Sequence, residues 1–230
     1  MKKSIGFILN TMGWLMLIFV MLMASLREVG LNPQLYFDLQ MEAGILQEAG
    51  ISEDDLLKLD VALARYLGGK QTAIDYRIEV FGRQVQPPFN AREMRHLADC
   101  RTLFAPVTAV WFNIALAIIA AALIFCNGGW RTGRRAVWLA SAIFMLPIAV
   151  LGIWAAVDFP SAFTFFHRIL FTNDLWLLNP ETDLLIRICP QSMFANMGLR
   201  IAVRSAAVLL GLSIFFTFLY KLEQRKRKTT

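Results

Sequence analysis

The chain contains only two histidines, His96 and His167, and they are its strongest candidates for acid–base chemistry at neutral pH. Imidazole has an ordinary pKa of about 6.5, so it can both accept and release a proton under physiological conditions. The two residues stand 71 positions apart in a sequence of 230 residues. A single histidine is often a structural residue, so position alone leaves a catalytic and a packing role open.

The neighbours of the two histidines favour a catalytic role. Glu93, His96 and Asp99 recur every three residues, which places them on one face of a helix. A carboxylate one turn away can hold the second ring nitrogen of a histidine and fix its tautomer. The same spacing also fits a solvated charge cluster at the start of a helix. Residues that could order a loop or build a site follow the second histidine: Arg168, Asp174, Trp176, Glu181 and Asp183.

Other catalytic and metal-binding patterns do not occur in the sequence. There is no Gly-x-Ser-x-Gly motif for a serine nucleophile. One Glu-x-x-His unit is present, whereas di-iron bundles need two units and further glutamates, so neither a metal nor a cofactor is predicted. Cys100, Cys126 and Cys189 form no Cys-x-x-Cys pair. The sequence leaves open whether Cys100 and Cys189 form a disulfide, because it does not give the distance between their Cα atoms.

The composition indicates a membrane protein with additional mass outside the lipid. Hydrophobic residues make up 57% of the chain and charged residues 17%, against roughly 45–50% and about 25% in soluble domains. Four apolar stretches reach the roughly 20 residues that a helix needs to cross a bilayer. The first is too long for the apolar region of a signal peptide, which predicts a retained span. The predicted spans are about residues 5–25, 103–126, 136–157 and 199–220.

The charges flanking these spans predict their orientation. The formal net charge is +6. The two termini and the loop between the second and third spans carry ten basic residues and one acid, whereas the other segments carry 12 basic residues and 16 acids, with Arg204 left out. Positive residues collect in cytoplasmic flanks, so both termini are predicted to be cytoplasmic. The segments 27–102 and 158–198, with both histidines, are then extracytoplasmic. The basic tail lacks interleaved aromatic residues, and no nucleic-acid partner is predicted.

The first outer segment is long enough to have a structure of its own. Ser52 followed by Asp55 resembles a capping box, and apolar residues at helical spacing predict a helix over about 53–67. Alternation from Ile74 to Val80 predicts a short strand, and the turn after it predicts a hairpin that ends near Gln86. Asn90 then begins a helix that continues into the second span. The predicted fold is therefore an all-α membrane protein, with four transmembrane helices and a small extracytoplasmic α+β subdomain between spans 1 and 2.

Several short segments lie in a set order between the predicted spans and at the start of the second: Gly50–Leu56, Tyr66–Gly69, Phe89–Asp99, Leu103-Phe104, Phe166–Phe171, Trp176–Pro180, and beyond them Asp183 and Pro190. In their order and spacing, and over most of the chain, these segments resemble the lipoprotein intramolecular transacylase family of Gram-positive bacteria, which are small four-span membrane proteins. Cys100 and Gln191 depart from the family, in which an aliphatic residue and an acid are expected.

The resemblance implies a reaction at the outer membrane face. The substrate would be a diacylated bacterial lipoprotein whose N-terminal cysteine carries a diacylglyceryl group, and the sn-2 acyl chain would move to the α-amine of that cysteine. The functional histidines of the family map onto His96 and His167, and no cofactor is implied. The chemistry is consistent, since the amine must lose a proton and the leaving alkoxide must gain one. We expect one histidine to take the first proton and the other to deliver the second.

Supporting roles are expected for residues near the two histidines. Asp99, with Glu93, would orient His96, and Arg101 or Arg168 would stabilise an oxyanion. The aromatic residues after the third span, with Trp176, would either line an acyl-chain groove or anchor the protein at the membrane interface. Asp183 is the last residue for which a supporting role is expected. Two other classes of function stay open: a non-catalytic lipid-binding or accessory membrane protein, and a lipid hydrolase that would release free fatty acid.

Overall fold

The structure is a computed structural model that describes residues 2–127 and 129–229, without the side chains of residues 2, 3, 129–132, 223 and 226–229. Lys2, Lys3, Arg131 and Lys226–Lys228, on which the predicted orientation partly depends, fall among those undescribed side chains. The described chain is mostly helical, with one small sheet. In chain order the elements are α1 (Lys2–Gly30), α2 (Pro33–Glu42), α3 (Ile45–Ala49), α4 (Glu53–Leu67), β1 (Ile78–Val80), β2 (Arg83–Val85), α5 (Ala91–Thr108), α6 (Val110–Cys126), α7 (Gly129–Val157), α8 (Phe159–Leu170), α9 (Leu184–Ile188) and α10 (Gln191–Thr229).

The chain divides into two compact units. The first, here called the span unit, comprises Met1–Ser25, Ala109–Gly152 and Ile201–Thr230. The second, here called the histidine unit, comprises Leu26–Thr108 and Ile153–Arg200. Both histidines, and all other predicted site residues, belong to the histidine unit.

Three helices among the described residues are long and apolar enough to cross a membrane. They are Ser4–Gly30, Gly133–Val157 and Gln191–Leu222, and they contain the first, third and fourth predicted spans. Their apolar composition and length support a multi-pass membrane protein.

The second predicted span differs from the expectation, because it is not one continuous helix. Helix α5 ends at Thr108 and α6 begins at Val110, with a bend of 44° between them. Pro106 lies inside α5 and has no N–H to give to the preceding turn, which is a common cause of helix breaks. If the bent pair counts as one span, the described chain has up to four.

Helix packing in the span unit depends on close approach. The buried cluster contains Trp14 and Ile18 from α1, Ile124 from α6, Ala136, Val137 and Ala140 from α7, and Leu209 and Phe216 from α10. A Cβ atom at Gly13 would lie 2.8 Å from the carbonyl oxygen of Ala120. Small residues at such contacts let the backbones of membrane helices approach each other, and dispersion forces then hold the helices together.

The histidine unit contains the predicted helix and hairpin. Helix α4 covers Glu53–Leu67, and the hydroxyl of Ser52 accepts a hydrogen bond from the N–H of Asp55, as expected. The strand is shorter than predicted: β1 covers Ile78–Val80 and pairs antiparallel with β2. The alternation upstream of Ile78 does not extend the strand, since β2 has only three residues for β1 to pair with.

One apolar core holds the histidine unit together. Leu56 and Leu59 from α4 are fully buried, with Ile78 from β1, Leu97 from α5 and Ile188 from α9. Segments far apart in the sequence therefore share a single interior. This core fixes α5 against α4 and α9, and α5 carries the first histidine.

Candidate active site

The two histidines lie side by side in the histidine unit, although 71 residues separate them in the sequence. Helix α5 carries His96 and helix α8 carries His167. Their ring centroids are 6.3 Å apart and their planes are inclined by 37°. A substrate group of a few atoms could therefore contact both rings at once.

A capping box at the start of α5 determines where His96 is held. The N–H of Asn90 donates to Glu93 Oε2 at 2.6 Å, and the N–H of Glu93 donates back to Asn90 Oδ1 at 3.1 Å. The other oxygen of Glu93 accepts from the N–H of Leu185 at 2.6 Å. Glu93 is 1% exposed, and burial raises the pKa of its carboxyl, although the N–H groups of Leu185 and Asn90 oppose the shift. Glu93 therefore ties the first turn of α5 to α9 and positions His96 from one turn away.

Asp183 reinforces the same junction. Its carboxylate accepts from Asn90 Nδ2 at 2.8 Å, from the N–H of Asn179 at 2.8 Å and from the hydroxyl of Thr182 at 3.0 Å. Burial alone would raise the pKa of this carboxyl, but the hydrogen bonds outweigh burial and hold the pKa below its ordinary value. Asp183 is thus a structural anion between the start of α5 and the segment that leads into α9.

One ring nitrogen of His167 is hydrogen-bonded to the backbone. Its Nδ1 lies 2.8 Å from the carbonyl oxygen of Phe163, one turn earlier in α8. Because a carbonyl oxygen can only accept, Nδ1 carries the hydrogen and donates it. The lone pair of the neutral ring is then on Nε2, which is the nitrogen available as a base.

Aromatic rings surround His167. The centroids of Phe163, Trp176 and Phe171 lie 4.0, 5.0 and 5.7 Å from that of the imidazole, and Phe166 lies at 5.8 Å. Phe171 also makes an edge contact with His96, with centroids 5.2 Å apart. This apolar setting lowers the pKa of His167 by burial, against an opposing effect of the Phe163 carbonyl.

His96, which precedes the apolar stretch 103–126, is more deeply enclosed. Its side chain is 8% exposed. Burial, together with repulsion from a charge on His167, lowers its pKa to about 4, and the nearby Asp99 only partly offsets these effects. Both imidazoles are therefore neutral in the resting protein at neutral pH.

Cys100 touches His96, a contact that the sequence pattern did not predict. Its Sγ lies 3.5 Å from Nε2 and 4.0 Å from Nδ1 of the ring. Burial raises the pKa of the Cys100 thiol to about 12, and the charge of Asp99 adds to the shift. The group is therefore an uncharged thiol and a poor nucleophile. Cys100, Cys126 and Cys189 are all free cysteines, so Cys100 and Cys189 do not form a disulfide here.

The remaining predicted site residues occupy different surroundings. Asp99 accepts a hydrogen bond from Asn173 Nδ2 at 2.9 Å, which links α5 to the loop after α8. Among the described residues, no carboxylate is hydrogen-bonded to His96. The ring of Trp176 is tilted by 32° against that of His167. Arg101 lies over the ring of Tyr66, 5.2 Å from its centroid, and so faces α4. Arg168 is exposed and lines a groove with residues of α7 and α8.

Three contributors escaped the sequence analysis. Phe163 supplies the carbonyl that orients His167, Asn173 holds Asp99, and Cys100 contacts His96. The position of Phe163 four residues before His167 is the one signal that could have identified it, since that spacing places its carbonyl within one helical turn. No group of three or more histidine, cysteine, aspartate or glutamate side chains is arranged to hold a metal ion among the residues that the structure describes.

The comparisons with known proteins agree on one family. The sequence model described as lipoprotein intramolecular transacylase Lit matches residues 11–194. No curated protein sequence matches the chain. In fold, the chain is similar to the membrane-integral lipoprotein intramolecular transacylase Lit from Bacillus cereus, with a TM-score of 0.68 and 19% identity over 99% of this chain and 98% of that one.

Two variant structures of that Bacillus cereus protein match as well. A form with one histidine replaced by arginine has a TM-score of 0.65 and 21% identity, over 99% of this chain and 95% of that one. A form with alanine at that histidine also has a TM-score of 0.65, with 20% identity over 99% and 96%. Identities at this level establish the fold alone, whereas the sequence model covers most of the chain. The chain therefore belongs to the lipoprotein intramolecular transacylase Lit family.

Proposed function

We propose that this protein catalyses an intramolecular acyl transfer on diacylated lipoproteins, moving the sn-2 acyl chain from glycerol to the α-amine of the N-terminal cysteine. The observation that carries the proposal is the pairing of His96 and His167 at 6.3 Å between ring centroids. Membership of a lipoprotein transacylase family supports the class of substrate. Amine and ester belong to one molecule, so holding them in a reactive shape can supply up to roughly 7–11 kcal/mol in ideal cases.

His167 is the proposed general base. Its Nδ1–H is held by the carbonyl of Phe163 at 2.8 Å, which leaves the lone pair on Nε2. Burial lowers its pKa, so the ring is neutral and able to accept a proton at neutral pH. The substrate amine has an ordinary pKa of about 7.7–8.0, and it becomes strongly acidic once it has attacked the ester carbonyl.

His96 is the proposed hydrogen-bond donor to the oxyanion. Its pKa of about 4 means that it does not store a proton between turnovers. A neutral imidazole still has one N–H, which can stabilise the negative oxygen of the tetrahedral intermediate. This assignment refines the expectation of one accepting and one delivering histidine, because a neutral His96 has no acidic proton to deliver.

In this scheme His167 both takes up the proton and returns it. The amine nitrogen forms a bond to the acyl carbon, and Nε2 of His167 takes the proton that this nitrogen loses. When the bond from the acyl carbon to the sn-2 oxygen breaks, the same imidazolium gives its proton to the leaving oxygen. Both products stay in one molecule, and neither water nor a cofactor is consumed.

The aromatic surroundings support this chemistry. Phe163, Phe171 and Trp176 enclose His167 and limit the access of water, which would otherwise compete with the amine and release fatty acid. Glu93, Asp99 and Asp183 act as positioning residues, since they fix α5 to the segments that surround the site.

The proposed location is the extracytoplasmic face of the cell membrane. The end of α5 from residue 103, together with α6, would form the second of four spans, and both termini would be cytoplasmic, as the charge distribution predicts. The residues 27–102 and 158–198 would then meet the lipoprotein at the outer leaflet, with no nucleic acid involved.

The experiment is to express the chain in membranes with a diacylated lipoprotein and to locate the acyl chains of its N-terminal peptide by tandem mass spectrometry. Wild type is expected to give an N-acyl, lyso-glyceryl peptide at unchanged total mass. H96A and H167A are each expected to slow the conversion by at least about 10²-fold. H167N is the matched variant, because its amide can still donate to the Phe163 carbonyl but has no basic nitrogen.

Two results would contradict the proposal. If wild type leaves the lipoprotein unchanged, a non-catalytic lipid-binding role replaces it. If the mass falls by one acyl chain and free fatty acid appears, the protein is a hydrolase. Conversion by both alanine variants at the wild-type rate would assign the chemistry to other residues.

A further inference from the structure

A groove on the surface of the histidine unit lies outside the paired histidines. It has a volume of about 420 Å³ and is lined by Trp154, Pro160, Ser161, Thr164, Phe165 and Arg168. Its wall is therefore part aromatic and part polar. Trp154 belongs to the last turn of the candidate span Gly133–Val157, and the other five residues belong to α8.

Arg168 is the one cation of this groove. Among the residues that the structure describes, its guanidinium makes neither a hydrogen bond nor an ion pair. Asp174, the anion nearest in sequence, forms no ion pair with it among the described residues. Asp158, the next nearest, caps α8 by accepting from the N–H of Ser161 at 3.1 Å and from its hydroxyl. Ser161 and Arg168 are two helical turns apart, roughly 10.5 Å along the axis, so the cap does not neutralise the arginine.

The helix that carries Arg168 has the character of an interfacial helix. Phe165 and Phe166 are about half exposed, and Ile169 is 65% exposed. Only Asp158 separates the start of α8 from the end of a candidate membrane span at Val157. Aromatic and aliphatic side chains around an arginine are typical of helices that lie at the boundary between headgroups and acyl chains.

We propose that this groove binds a membrane phospholipid with an anionic headgroup, with Arg168 contacting the phosphodiester and Trp154 and Phe165 contacting the start of an acyl chain. A guanidinium is suited to this ligand, since its planar donors match phosphate oxygens. The diacylglyceryl group of the proposed substrate contains no phosphate. The groove is thus a second lipid site, and its occupant is not the molecule being acylated.

The site also has a structural consequence for α8. His167 and Arg168 are consecutive residues, so a lipid held by Arg168 restrains the helix that presents the proposed base. The proposal depends on the membrane location of the chain and not on the transacylase activity. Its test therefore measures binding and can fail independently of the catalytic proposal.

The experiment is a lipid titration of the full chain in detergent, with bound lipids counted by native mass spectrometry. The probes are phosphatidylglycerol, phosphatidylcholine and diacylglycerol with identical acyl chains. For R168Q the apparent affinity for phosphatidylglycerol is expected to fall about fivefold, the effect of losing one basic contact near a lipid headgroup. R168K should retain most of the affinity. R77Q is the matched control, because Arg77 is also exposed but lies just before β1, away from α8.

Several results would overturn the proposal. These are equal affinity of wild type and R168Q for phosphatidylglycerol, an equal loss in R77Q, or a loss in R168K as large as in R168Q. Diacylglycerol binding as tightly as phosphatidylglycerol would mean that the groove merely collects acyl chains. Inorganic phosphate in excess is expected to leave the lipid bound, and displacement by phosphate alone would identify a simple anion site. Thermal unfolding of each variant verifies that it is folded.

Discussion

The two units of this protein differ in how fully their buried polar groups are hydrogen-bonded. In the histidine unit, the carboxylates of Glu93 and Asp183 together accept five hydrogen bonds, three of them from backbone N–H groups. In the span unit, Asn10 donates to the carbonyl of Ile124 at 2.9 Å, but its Oδ1 and the hydroxyl of Ser213 have no hydrogen-bond partner among the described residues. Hydrogen bonds orient the buried side chains of the histidine unit, whereas close packing of helices positions those of the span unit.

The difference follows from what surrounds each unit. Lipid chains are as apolar as leucine, so helices in a membrane gain little from burying apolar groups and associate through close packing. In the histidine unit, apolar burial supplies the stability and hydrogen bonds set the orientation of side chains. Acid–base catalysis needs orientation within a few tenths of an ångström, which explains why the candidate site belongs to this unit.

The largest expected effect is on catalysis. H167N should lower the rate of acyl transfer by about 10²–10⁴-fold, the usual contribution of a positioned base, with little change in thermal stability. S213A, which removes a buried hydroxyl from the span unit, should leave the rate within about twofold of wild type. The measurement is the initial rate of N-acyl peptide formation in membranes. Equal losses in the two variants would remove the distinction between the units.

The next largest expected effect is on stability, and it compares a leucine-to-alanine substitution in the histidine unit with one in the span unit. Leu59 is fully buried in the core of the histidine unit, whereas Leu146 in the span unit is 67% exposed. L59A should lower the free energy of unfolding by about 2–5 kcal/mol. L146A should change the free energy of unfolding by less than about 1 kcal/mol, since this exposed side chain contributes little to packing within the protein. Denaturant unfolding of purified protein in detergent measures both.

A smaller loss is expected when the junction of α5 and α9 is weakened. E93Q keeps the size of the side chain but replaces one accepting oxygen with an NH₂ group that would face a backbone N–H. We expect a loss of about 1.5–3 kcal/mol in stability and a lower rate, because His96 lies one turn away. E53Q in the exposed first turn of α4 is the control. A fully stable and active E93Q would show that the capping box does not position the histidine.

The pH dependence of stability tests one of the exceptions in the histidine unit, where buried atoms of Gln40, Asp60 and Arg187 have no hydrogen-bond partner among the described residues. Asp60 is fully buried, its Oδ1 accepts from Gln40 Nε2 at 3.0 Å, and its Oδ2 has no hydrogen-bond partner. Burial raises its pKa from 3.8 to about 7, although the bond from Gln40 opposes the shift. The folded state therefore holds this proton more tightly than the unfolded state, and stability falls as pH rises from about 4 to about 7.

The variant D60N removes this titration. Its unfolding temperature relative to wild type should rise as the pH is increased from about 5 to about 8, because only wild type then carries a buried charge. The bond from Gln40 is retained, since asparagine keeps an accepting oxygen. A constant difference across this range would show that Asp60 does not titrate there.

The smallest effect is expected at Cys100. Its thiol contacts His96 at 3.5 Å, but with a pKa of about 12 it is an uncharged packing group. C100A should change the rate of acyl transfer by less than about tenfold. Complete inactivation of a folded C100A would instead indicate that the thiol takes a direct part in the reaction.

Local patterns made several elements predictable from the sequence. Helix α4 begins and ends where the capping serine and the following glycines indicate, and the reciprocal bonds of Asn90 and Glu93 match the spacing of a capping box. Three spans appear as single helices because twenty apolar residues in succession have few alternatives. The break at Ala109 was not predicted, since proline is also tolerated inside transmembrane helices, as Pro147 is in α7.

Contacts between residues far apart in the sequence could not be predicted from the sequence pattern. The three-residue spacing of Glu93, His96 and Asp99 suggested that Asp99 orients His96, and the structure adds a bond to Asp99 from Asn173 and one to Glu93 from the backbone of Leu185. Arg101, expected to stabilise an oxyanion, lies over the ring of Tyr66. Each outcome depends on which loop packs against α5, and no local rule encodes that packing. The resemblance to the transacylase family identified the two histidines, whereas the tautomer of His167 required the geometry.

The most direct test of the account is a double-mutant cycle on the two histidines. Rates of acyl transfer would be measured for wild type, H96A, H167A and the double variant in the same membranes. If both rings act on one bound substrate, each single variant should lower the rate by at least about 10²-fold, and the double variant should be no faster than the slower single variant. If either single variant keeps the wild-type rate, that ring takes no part in the reaction, and the proposal of a paired site is wrong.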